Sequence, residues 1–134
     1  MPPNYLFVYG TLRRACNHAL LKEIDRYADF VSTATYQGKL FLIDTYPGAV
    51  PSLNPNNQIQ GEVYCLTNEN RLLDLLDDYE ECSPKFPSPA EYYRSLQNIQ
   101  LINHQSVDAW IYLYNHKTHN LKLIMSGNFL DTLV

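Results

Sequence analysis

The chain has 134 residues, ten basic and fourteen acidic for a formal charge of -4, and three cysteines. A chain of that length can bury one core without metals or disulfides, so a single domain over 1–134 is expected, and its scattered positive charge argues against a nucleic-acid partner. The odd cysteine number (Cys16, Cys65, Cys82) excludes a complete disulfide framework, and neither a membrane-length apolar run nor a secretory opening at Met1-Pro2-Pro3-Asn4 is present, so a cytoplasmic protein is expected.

Tyr5-Leu6-Phe7-Val8-Tyr9 is short, apolar and rich in strand formers, and Gly10 stops it, which predicts a buried strand followed by a sharp turn. Ala19, Leu20, Lys22, Glu23 and Ile24 suit a short helix with Asn17 as its cap. Thr35 to Ile43 reads as a second strand. Ile59 to Leu66 reads as a third, in which Ile59, Gly61, Val63 and Cys65 alternate with polar Gln60 and Glu62. Between them, Pro47, Gly48, Pro51 and Pro55 predict that 44–57 is a long surface connection.

Thr67 or Asn68 can cap the next helix, whose apolar face is Leu72, Leu75, Leu76 and Tyr79 and whose end is set by Ser83-Pro84. Tyr92 to Leu101 and Val107 to Tyr114 complete the strands as a hairpin, and the tail from His116 gives mixed signals. Five strands and two helices in irregular order predict an α+β fold, a curved and largely antiparallel sheet or small barrel with flanking helices.

Two segments can carry chemistry. After Gly10, backbone amides near a helix start can serve as anion donors, although a glycine there also serves a turn alone. At Asp77-Asp78-Tyr79-Glu80-Glu81, four acids crowd a helix C-terminus against its dipole, which raises the pKa of the least solvated carboxyl and suits it to proton transfer near neutrality; the plainer reading is a solvated acidic face. Cys16 and His18, two apart, point different ways on a helix, and His116 with His119 lacks a zinc-ligand partner pattern.

Leu6-Phe7-Val8-Tyr9-Gly10-Thr11-Leu12-Arg13 with Asn17-His18 resembles the opening of the gamma-glutamylcyclotransferase-like family. Tyr46-Pro47, Gly61-Glu62-Val63-Tyr64, Leu76-Asp77 with Tyr79-Glu80, Tyr92 with Arg94, and Ala109 to Tyr114 follow in the family's order. The resemblance implies a cyclotransferase that releases 5-oxoproline from a gamma-glutamyl peptide or gamma-glutamylamine, with Glu80 as the catalytic acid/base. It implies that Tyr9, Gly10, Thr11 and Leu12 bind the glutamyl carboxylate, that Tyr92 lines the pocket, and that neither cofactor nor metal is needed. The chain departs from the family in having Glu81 where relatives have glycine, followed by a proline-rich stretch over 83–90. Two other classes remain: a binding module that keeps the cavity without turnover, and an interaction protein that uses only the fold.

Overall fold

The computed structural model describes residues 4–80 and 90–133. Its elements are β1 (Tyr5–Val8), α1 (Leu21–Tyr27), β2 (Ala28–Leu42), β3 (Pro47–Pro51), β4 (Gln58–Leu66), α2 (Glu69–Tyr79), β5 (Tyr92–Leu101), β6 (Ser106–Tyr114) and β7 (Lys122–Leu123). Short 3-10 turns occupy Arg14–Cys16 and Phe129–Thr132.

The strands form one sheet in the order β1-β4-β2-β3-β6-β5, and an added pairing of β1 with β6 closes the first five into a barrel. The β3–β6 and β1–β6 pairings are parallel and the rest antiparallel. β2 spans the barrel because its first part pairs with β4 and its last five residues with β3, and a register shift between Phe30 and Ser32 bends it.

Strand alternation divides the apolar residues between two layers. Phe7, Tyr9, Ile111, Leu113 and Val63 fill the barrel, whereas Leu6, Val8, Tyr64 and Tyr112 face outward onto Ile24, Leu72 and Leu76 of the helices. The helices therefore cover one side of the barrel and leave the C-terminal end of α2 beside β6. Among the described residues, no helix is long and apolar enough to cross a membrane.

The strand at 92–101 is as expected, and the neighbouring one begins one residue early. Other expectations are corrected. β2 begins at Ala28 rather than Thr35. The supposed surface connection 44–57 contains β3, with Pro47 as its first residue, a position where the missing N–H costs little. Asn17 takes a left-handed conformation (φ 49°) after the 3-10 turn, and Leu20 occupies the N-cap of α1 without a side-chain cap bond. Asn68 does cap α2, accepting from the Arg71 N–H. On α2 the buried residues are Leu72, Leu73 and Leu76, while Tyr79 is 39% exposed. Ser83-Pro84, Glu81 and Cys82 lie outside the described residues.

Candidate functional site

Beyond β1 the Tyr9 side chain enters the barrel. Its hydroxyl donates to the Tyr112 carbonyl at 2.6 Å and accepts from the Ala49 N–H at 3.2 Å, bridging β6 and β3 where they meet in parallel register. Burial, and then the charge of Glu80, push its pKa far above the ordinary phenol value, so it remains a proton-bearing hydroxyl. Tyr92 behaves likewise: its hydroxyl donates to the Pro47 carbonyl at 2.7 Å, and burial is the first cause of its raised pKa.

Gly10 differs in its reason from the sequence expectation. Its backbone does not adopt positive φ; a Cβ there would sit 2.8 Å from Pro47 Cγ, so close packing of the turn on β3 excludes a side chain. The turn closes by a hydrogen bond from Arg13 N–H to the Gly10 carbonyl at 3.0 Å. Arg13 then runs inward, its Nε donating to Glu62 Oε2 at 2.6 Å and its NH1 to Asn128 Oδ1 at 2.8 Å, while Glu62 Oε1 accepts the Arg14 N–H at 2.8 Å. Strand alternation had assigned Glu62 to a polar face. The structure buries it at 6% exposure, because the guanidinium supplies its counter-charge. This pair clamps the far side of the turn. Among the described residues, the N–H groups of Gly10, Thr11 and Leu12 have no backbone acceptor.

Glu80 is the C-cap of α2, its N–H donating to the Leu76 carbonyl at 2.8 Å. One turn earlier, Asp77 Oδ1 accepts from the Tyr112 hydroxyl at 2.6 Å and from Arg94 Nε at 2.9 Å, fixing the helix end to β5 and β6. The Glu80 carboxyl is pushed up to about 7, first by burial and then by the negative charge of Glu91.

These parts enclose a cavity of about 270 Å³. Tyr9, Gly10, Thr11, Leu12, Glu80 and Tyr92, the residues singled out in the sequence, all border it. Arg94 does not; it pairs with Asp77 and stacks over Trp110 at 4.5 Å in a separate surface groove. Sequence reasoning gave no role to Pro47, Tyr46, Tyr112 or Glu91, which also line the cavity. Tyr46-Pro47 stood among the quoted motifs, but nothing in the local pattern linked Glu91 to Glu80.

The other candidates are engaged elsewhere. Cys16 Sγ lies 3.7 Å from the Gly10 carbonyl, and burial pushes its thiol up, away from thiolate chemistry. His18 accepts the Leu20 N–H and meets Tyr79 edge-on, while His116 packs on Tyr114. Among the described residues, no cluster of three His, Cys, Asp or Glu side chains could hold a metal.

The arrangement resembles a known one. A family model described as Gamma-glutamyl cyclotransferase, AIG2-like, matches residues 6–131. The chain belongs to this gamma-glutamylcyclotransferase family.

Among its relatives, the Gamma-glutamylcyclotransferase family protein YtfP of Escherichia coli K12 is 36% identical over 127 residues, covering 94% of this chain and 96% of its own length. A Gamma-glutamylaminecyclotransferase A of Danio rerio is 27% identical over 115 residues, covering 80% of this chain and 66% of that protein. In fold, the crystal structure of an AIG2-like protein from Mus musculus superposes with a TM-score of 0.70 at 23% identity, over 93% of this chain and 88% of that one. The gamma-glutamylcyclotransferase match includes both the turn after β1 and the end of α2, so both principal walls of the cavity fall within the family's region.

Proposed function

We propose that the chain is a cyclotransferase that releases 5-oxoproline from a gamma-glutamyl peptide or gamma-glutamylamine, with Glu80 as general acid/base. The observation that carries this reading is that a carboxyl poised near neutrality and a turn whose N–H groups have no backbone acceptor among the described residues border one cavity.

In this reading the Gly10, Thr11 and Leu12 amides hold the alpha-carboxylate of the glutamyl unit, and the walls fold that unit on itself. Its alpha-amine nitrogen attacks the gamma-carbonyl carbon, a five-membered lactam forms, and the bond from that carbon to the leaving nitrogen breaks. Glu80 takes the proton from the attacking nitrogen and returns it to the departing one. No protein nucleophile takes part. Holding the reacting atoms together supplies an effective molarity of roughly 10⁵–10⁸ M, and proton transfer a further factor of roughly 10²–10⁴. Tyr9 and Tyr92, proton-bearing and tied to backbone carbonyls, shape the walls and do not act as bases.

The test is Glu80→Gln, which keeps the shape and removes the proton carrier. Release of 5-oxoproline from gamma-glutamyl compounds is expected to fall about 100-fold or more, with the circular dichroism spectrum retained. Turnover retained in a folded variant refutes the role of Glu80, and protection of the wild-type protein from heat by 5-oxoproline without any turnover would make it a binding module.

A further inference from the structure

The cavity holds a second carboxylate that the proposed chemistry does not use. Glu91 lines it beside Glu80, and the Tyr46 hydroxyl donates to its Oε1 at 2.7 Å. The Glu91 carbonyl accepts the Asn115 N–H at 2.7 Å, anchoring the residue to the chain just beyond β6. The Tyr46 proton is held firmly, pushed up to about 12 with Glu91 as the first cause, so the phenol serves Glu91 as a neutral donor and supplies no positive charge.

Among the described residues no cation answers either carboxylate. No Lys, Arg or His belongs to the described wall, and the nearby arginines are committed elsewhere: Arg13 to Glu62, Arg14 to Asp25 and Arg94 to Asp77. Two adjacent, partly desolvated carboxylates with no counter-ion among the described residues are an unfavourable arrangement that a bound cation relieves. On the reading proposed above, the glutamyl unit brings one ammonium, and Glu80 takes that proton as the ring closes. Among the described residues the charge on Glu91 then still has no cationic partner, and the leaving group is the remaining part of the substrate.

We propose that Glu91 is a specificity-determining residue that selects a positively charged leaving group, an aminoalkyl amine, over neutral and carboxylate-bearing ones. This inference rests on the cyclotransferase reading. The distant ammonium is a spectator: the bonds formed and broken, and the proton carried by Glu80, are unchanged. Like charges brought together in a recognition site cost several kcal/mol, so a leaving group ending in a carboxylate is disfavoured most.

The experiment compares 5-oxoproline release from three substrates of similar leaving-group length: gamma-glutamyl-diaminobutane, gamma-glutamyl-pentylamine and gamma-glutamyl-aminobutyrate. In the wild-type protein kcat/KM is expected to favour the diamine about tenfold or more over pentylamine, and more over aminobutyrate, with added salt weakening the preference. In Glu91→Gln the ratio is expected to collapse towards one. A wild-type ratio near one overturns the inference without need of any variant. So does a Glu91→Gln variant in which all three substrates lose the same factor, which assigns Glu91 to the glutamyl ammonium. Release without discrimination, or release from other gamma-glutamyl compounds but from none of these three, sinks this inference alone, whereas no release from any gamma-glutamyl compound removes the cyclotransferase reading and the inference with it.

Discussion

The hydroxyl of Tyr112 donates to Asp77 at 2.6 Å, and this bond joins the barrel wall to the helix end that carries Glu80. Tyr112 acts in two directions, since its carbonyl receives the Tyr9 hydroxyl on the other side. Tyr112→Phe keeps the ring and removes the donor to a charged acceptor, a loss of about 1.5–3 kcal/mol that urea denaturation will measure. On the proposed reading kcat falls more than KM rises, because the turn that binds the substrate carboxylate is untouched while the end of α2 loosens.

Glu80 makes a prediction about pH in stability as well as in rate. Its ordinary value is 4.5 and its folded value about 7, so between them the native state holds a proton that the unfolded chain has lost. The contribution of Glu80 to stability is therefore fully present below about 4.5 and is lost as pH rises through about 7. Glu80→Gln lacks this dependence. The variant's stability relative to wild type should climb across that window by at most about 3 kcal/mol, less to the extent that solvent screens the half-buried carboxyl. Denaturation at several pH values tests it; parallel curves for the two proteins would show that the carboxyl is not perturbed. On the proposed reading, the acidic limb of kcat/KM should have its midpoint near 7 and move lower in Glu91→Gln, because the neighbouring charge is one cause of the shift.

The strands that follow a simple rule were legible in the sequence, and those that depend on distant partners were not. Tyr5–Val8 is buried on both faces and flanked on both edges, so its continuous apolar run announced it. β3 was hidden because prolines bound it and only five residues pair. Glu62 read only as a polar position of an alternating strand because its partner Arg13 lies 49 positions away, a separation that no local periodicity encodes. For the same reason the sequence placed Glu80 at a helix end but gave no sign that Glu91 would line the same cavity.

Arg13 and Glu62 form the buried pair behind the turn that follows β1, at 2.6 Å and with both side chains almost fully covered. Removing one partner strands a charge, so Arg13→Met is expected to cost about 3–5 kcal/mol. The double replacement Arg13→Met with Glu62→Leu should cost well under the sum of the single losses, though not nothing. Glu62 also accepts the Arg14 N–H, and losing that acceptor leaves a penalty of about 1–3 kcal/mol. A double-mutant cycle in chemical denaturation measures the coupling; strict additivity would mean that the pair does not act as a unit.

Gly10 tests whether close packing, rather than backbone freedom, fixes the turn. Its conformation is open to other residues, so alanine meets no backbone penalty, and the obstacle is Pro47 Cγ at 2.8 Å from the added methyl. Gly10→Ala should therefore cost about 1–3 kcal/mol as an overpacked contact and, on the proposed reading, raise KM by pushing the turn away from β3. Pro47→Ala removes the opposing ring carbons while keeping the carbonyl that receives the Tyr92 hydroxyl. Combining it with Gly10→Ala should recover a large part of the lost stability and lower KM towards the wild-type value. Were the double variant no better than Gly10→Ala alone in thermal unfolding and KM, the steric account of this turn would fail, and the glycine would have to be explained by the chain's path through the turn itself.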